Sequence, residues 1–93
     1  MTTAPLTAHA RTRMQQRGIR SQALDVLLDF GRVARGPGGR DIVFFDKKAR
    51  KRLARTAPTL AAEGKRLVRT YAILGADGLV VTVGHRYRRI PRD

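Results

Sequence analysis

The chain has no cysteine and no tryptophan, and only two of its 93 residues are histidine. Without cysteine, disulfides, thiolate zinc sites and cysteine nucleophiles are excluded. His9 and His85 lie near opposite ends of the chain, too thin a basis for a metal site, so neither a metal nor another cofactor is expected. Acidic residues are scarce as well: 7 against 20 lysines and arginines, for a net charge of +13. Such a field attracts polyanions whatever the fold, which puts RNA or another nucleic acid first among candidate partners. An anionic membrane surface or an acidic protein would satisfy the same charge, but the basic stretches carry no large aromatic residue suited to a membrane interface. Long apolar runs are missing too. None approaches the roughly 18 residues of a membrane span, and the opening MTTAPLTAHARTRMQQRGIR contains no apolar signal region. A cytoplasmic protein with no membrane role is expected.

What is present divides cleanly into short elements. A chain of this length makes one domain, 1–93, with residues 1–6 read as a flexible N-terminus and 91–93 as a tail. Thr7 is a candidate N-cap for a first helix over about 8–17, closed by Gly18. Ser21 is expected to cap QALDVLLDF, a core helix ending at Gly31, with Asp25 and Asp29 on its polar ridge. RVAR and RDIVFFD flank Gly36-Pro37-Gly38-Gly39 as a hairpin, with strands near 32–35 and 41–45. Asp46 then caps KKARKRLART, whose Ala49, Leu53, Ala57 and Leu60 form a thin apolar stripe on a cationic helix halted by Pro58. After the small-residue connector APTLAAEG, RLVRTYAIL and LVVTVGHRY read as a second hairpin around Gly75-Ala76-Asp77-Gly78. The fold class is therefore α+β, in the order α-α-β-β-α-β-β. Two N-terminal helices pack on a curved antiparallel sheet of about four strands, and an extra basic helix stands between the two hairpins.

The last strand runs straight into His85, Arg86, Tyr87, Arg88 and Arg89. Strand alternation puts Leu79, Val81 and Val83 on one face with His85 and Tyr87, so an apolar row becomes a titratable row at the rim of the core. Opposite His85 the neighbouring strand supplies either Arg69 and Tyr71 or Val68 and Thr70, according to register. On the first helix, His9, Arg13, Gln16 and Arg17 share one sector beside the Ala10 and Met14 stripe. Three cations or potential cations at i, i+4 and i+8 repel one another, a cost that a bound anion would remove. The plainer alternatives are a sheet edge that happens to end in His and Tyr, and a solvated helix face.

The segment H9-A-x-x-R13-M-x-x-R17-G-I19, a second short helix ending in Gly, and a final strand V-x-T-V-x-x-x-Y-R resemble small bacterial members of the RelE/ParE toxin superfamily, over roughly residues 9–90. The resemblance implies a RelE-like fold and either of two activities found in that superfamily: metal-independent cleavage of messenger RNA, or inhibition of DNA gyrase without cleavage. It also brings an acidic antitoxin protein and the ribosome into the set of candidate partners. Tyr87 and Arg88 match the place where the ribonuclease members carry active-site groups on the terminal strand. Cleavage of RNA needs a base for the 2′-hydroxyl, an acid for the leaving 5′-oxygen, and fixed cations for the charge growing on phosphorus. His85 or His9 is the candidate base, and Tyr87 or the other histidine the candidate acid. Arg13, Arg17, Arg69 and Arg86 are candidates for phosphate, with Lys47, Lys48, Lys51, Arg52, Arg88 and Arg89 as further nucleic-acid contacts. The alternative from a different class is a basic binding module, docking on nucleic acid or an acidic protein and catalysing nothing.

Overall fold

The computed structural model describes residues 5–62 and 65–86. The expected Tyr87, Arg88, Arg89 and tail 91–93 lie outside the described residues. Two helices come first, α1 (Ala8–Gln16) and α2 (Ser21–Phe30), followed by β1 (Arg32–Arg35) and β2 (Asp41–Phe44). Three helices follow, α3 (Lys47–Thr56), α4 (Pro58–Ala61) and α5 (Lys65–Arg69), and the described chain closes with β3 (Thr70–Leu74) and β4 (Val80–His85). The strands form one antiparallel sheet in the order β1-β2-β3-β4.

Local chemistry accounts for most of these boundaries. Thr7 accepts a hydrogen bond from the Ala10 amide at 3.1 Å and so caps α1, as its position predicts. Gly18 takes φ +64 just beyond the helix, a conformation that costs a side-chain-bearing residue free energy. The Asp46 carboxylate caps α3 by accepting from the Ala49 amide at 2.8 Å. Pro58 cannot continue α3 and instead starts α4. At α2 the expected cap shifts by one residue: Ser21 is the first helical residue, and Arg20 occupies the N-cap without a side-chain hydrogen bond.

The core lies between the helices and one face of the sheet. Ala10 and Met14 of α1, Leu24, Val26 and Leu27 of α2, and Ala49 and Leu53 of α3 meet Val43, Ala72, Val80 and Val83 of the sheet in one buried cluster. Helix α1 packs along β4, and α2 packs across β2 and β3. Of the stripe expected on α3, Ala49 and Leu53 lie on it and are buried, whereas Ala57 is its C-cap and Leu60 belongs to α4, both partly buried against the core.

Three expectations are corrected. RLVR, read as the start of a strand, is helix α5; Leu67 is buried there, and the Thr70 hydroxyl donates to the Arg66 carbonyl at 3.0 Å, closing the last turn. A five-residue helix has no stability of its own, so it is these tertiary contacts that decide against extension. The simple alternation along β4 is broken by an irregularity beside Ile73 and Leu74, where partners jump from Thr82 to Val80. The extra residue moves Val80 rather than Val81 into the core, while Val83 and His85 keep the expected common face. Finally, Pro5 and Leu6 are tied down: Leu6 bridges Val80 in parallel, and the Val80 amide donates to the Pro5 carbonyl at 3.0 Å.

Candidate functional site

His85 ends β4 directly opposite Thr70 of β3, which selects the Val68 and Thr70 side of the two registers open from the sequence. Thr70 is buried and His85 half-buried. Both line a cleft of about 230 Å³ whose other walls are Gly18, Ile19, Arg20, Gln22, Ala23 and Val26 from the α1–α2 corner, and Arg66 and Leu67 from α5. That volume is below the roughly 300–1,000 Å³ of pockets that enclose a small ligand, so the cleft suits one part of a longer molecule lying across it.

Two arginines set the electrostatics. Arg17, at the C-cap of α1, donates from Nη1 to the Val83 carbonyl at 3.0 Å, and Arg66 donates from Nη2 to the Arg17 carbonyl at 3.0 Å. Arg17 is thus fixed at both ends, its backbone by α5 and its guanidinium by β4. No carboxylate is among the described residues lining the cleft. Burial, then Arg66, then Arg17 hold the His85 imidazole below its ordinary pKa, because each disfavours the imidazolium. His85 is therefore a neutral imidazole at pH 7, able to accept a proton, with two permanent cations near it.

The other expected residues are spread over the molecule. His9 is exposed on the first turn of α1 and accepts from Arg13 Nε at 3.5 Å. It does not line the His85 cleft, and eight residues of helical rise, about 12 Å, separate it from Arg17. The helix-one ladder is therefore split, with Arg13 beside His9 at one end and Arg17 beside the cleft at the other. Arg86 turns to the opposite sheet face, where its guanidinium donates to the Phe45 carbonyl at 2.5 Å and lies 5.4 Å from the centre of the Phe44 ring. Burial, followed by the nearby Arg50, lowers its pKa, and Asp46 opposes them. Arg69 is exposed, with its carbonyl accepting from the Arg86 amide at 2.8 Å. Tyr87, Arg88 and Arg89 lie outside the described residues.

On α3, Lys47, Lys48, Arg50, Lys51, Arg52 and Arg55 are all exposed. Arg52 also donates to the Phe30 carbonyl at 2.7 Å, closing the end of α2, and Arg32 pairs with Asp46 at 3.4 Å. Lys48, Lys51, Arg52 and Arg55 wall a groove of about 630 Å³ between α3 and the α2–β1 junction.

Sequence reasoning missed Arg66, Arg20 and Gln22. Arg66 was hidden by the strand assignment of RLVR; a helical reading would have set it one turn before Thr70 and on the side of the cleft.

Comparison of the chain with family models, curated proteins and solved structures returns no match. Among the described residues, no group of three or more His, Cys, Asp or Glu side chains could hold a metal ion, and no helix is long and apolar enough to cross a membrane.

Proposed function

We propose that the chain is a RelE-like, toxin-type endoribonuclease that cleaves RNA without a metal, with the cleft at the end of β4 as its centre. The observation carrying this reading is the cleft itself, where the His85 imidazole stands with Arg20 and Arg66 and no carboxylate is among the described lining residues. His85 takes the proton of the attacking 2′-hydroxyl. Arg66 from the cleft wall and Arg17 from the adjoining edge of β4 offset the charge that grows on the phosphate oxygens. The distance along α1 argues against His9 as partner in the same step, which leaves the acid's role to Tyr87 or to water. The small α+β fold, with helices preceding a four-stranded antiparallel sheet, is compatible with the superfamily its sequence resembles.

The test is incubation of purified protein with RNA in the presence of EDTA. Cleavage should leave 2′,3′-cyclic phosphate or 3′-phosphate ends, and DNA, lacking the 2′-hydroxyl, should remain intact. His85→Gln should slow cleavage by about 10²–10⁴-fold with the fold preserved. An active parent whose His85→Gln variant cleaves at the same rate would remove His85 from the chemistry.

A second reading, a basic module that binds nucleic acid or an acidic protein and cuts nothing, is favoured by α3, where six cations are exposed on one ten-residue helix. It predicts tight, salt-sensitive binding with no cleavage by any variant, with or without ribosomes.

A further inference from the structure

Gly84 sits in β4 between the Val83 carbonyl that Arg17 binds and His85, opposite Tyr71 of β3. It is buried, and nothing in its backbone calls for glycine, since its φ is not positive. The space where a side chain would stand is already taken. A Cβ there would overlap Arg17 Nη1 and would lie 3.1 Å from the Tyr71 hydroxyl oxygen. The Arg17 guanidinium thus occupies the volume that any other residue at 84 would fill.

We propose that Gly84 is the positioning residue of the cleft: its missing side chain admits the Arg17 guanidinium across the edge of β4 and holds it beside His85. Deepening the RNA-cleavage reading, this assigns a residue of the centre that touches neither substrate nor the moving proton. With Nη1 bonded to the Val83 carbonyl and lodged in the space that a side chain at 84 would take, Arg17 keeps its other N–H groups for a ligand, and a guanidinium held in place binds a phosphate better than a loose one. Its place also bears on His85. The groups around that imidazole are Arg17 from the end of α1, Arg20 and Gln22 from the start of α2, Arg66 from α5 and Thr70 from β3. Of these, Arg17 is the one whose position depends on residue 84.

The test compares the parent, Gly84→Ala, Arg17→Ala and the double variant, with the His85 ring protons followed by NMR from pH 8 to pH 5. Arg17→Ala removes a cation and should raise the His85 midpoint. Gly84→Ala, which changes no charge, should raise it as well, by displacing Arg17. In the double variant the midpoint should equal that of Arg17→Ala alone. Affinity for a short RNA should fall on the order of tenfold in each single variant, the loss of one charge-assisted contact, with no further loss in the double variant. If Gly84→Ala fails to fold, Arg17→Ala should restore folding by emptying the space. A midpoint unchanged by Gly84→Ala, or a misfolded Gly84→Ala that Arg17→Ala does not rescue, would overturn the proposal and assign the glycine to Tyr71 or to the backbone. Absence of RNA binding in every protein, the parent included, with the midpoint still moving as described, would retire the RNA reading and uphold the positioning role of Gly84.

Discussion

His85 and Arg17 belong both to the packing of β4 and to the candidate site. An imidazole that stays neutral when folded carries a pH signature. In the unfolded chain it protonates near pH ~6.5; in the folded protein burial, Arg66 and Arg17 lower that value. Between the two values the unfolded state binds more protons, so the His85 contribution is complete above pH ~6.5 and is lost as the pH falls through the folded value. Urea midpoints measured from pH 7.5 to pH 5 should therefore decline in the parent, and the decline should be shallower in His85→Gln. Equal slopes would mean that the surroundings do not discriminate between the two forms of the ring. The two arginines of helix α1 should separate in the same experiment. The Arg13 side chain donates to the exposed His9, and Arg13→Ala should change stability by less than about 0.5 kcal/mol. Arg17 donates to a sheet-edge carbonyl, so Arg17→Ala should cost about 1 kcal/mol. Each arginine of the ladder inferred from spacing has a neutral acceptor, Arg13 at His9 and Arg17 at the Val83 carbonyl, which anchors the side chain and leaves its charge in place.

Elements were legible where one local signal dominated. Thr7, Gly18, Asp46 and Pro58 place the ends of α1 and α3 through capping and backbone chemistry that acts within a few residues, and the stripe of α3 follows from its period. What sequence could not show was decided at a distance. The helix α5 exists because Leu67 is buried and Arg66 reaches the Arg17 carbonyl across 49 positions of sequence, and the irregularity of β4 depends on its partner strand. The candidate site falls along that same line. His85 was visible at the end of an apolar strand, whereas Arg66 and Gly84 acquire a role only once α1 and α5 are laid against β4. Asp46 tests the local side of this division. Its carboxylate caps α3 and pairs with Arg32, so Asp46→Ala should destabilise the protein by about 1–2 kcal/mol. Asp46→Asn keeps an N-cap acceptor and should cost less. Chemical denaturation measures both, and equal losses would show that the charge, not the cap, is what α3 needs.

The whole molecule carries 20 basic residues against 7 acidic ones, and their distribution matters as much as their sum. The cleft at the end of β4 is small and cationic, and the groove walled by Lys48, Lys51, Arg52 and Arg55 presents a second, larger basic surface built on α3. If both surfaces meet one RNA strand, binding should release a counterion for each phosphate neutralised. With about six contacts and a slope near −0.7 per contact for a single strand, log Kd against log salt should be steep, with an absolute slope of about 4. Replacing Lys48 and Lys51 by Gln should lower that slope by about 1.4 while leaving any cleavage at saturating RNA unchanged, since neither residue lines the His85 cleft. Replacing Arg66 should lower the slope by about 0.7 and also slow the reaction, since it lines the cleft. Titrations at four or more salt concentrations distinguish these outcomes. A parent slope near zero would remove nucleic acid as the partner altogether, and an unchanged slope in the α3 variant would confine RNA to the cleft and leave the larger groove to a different, acidic partner.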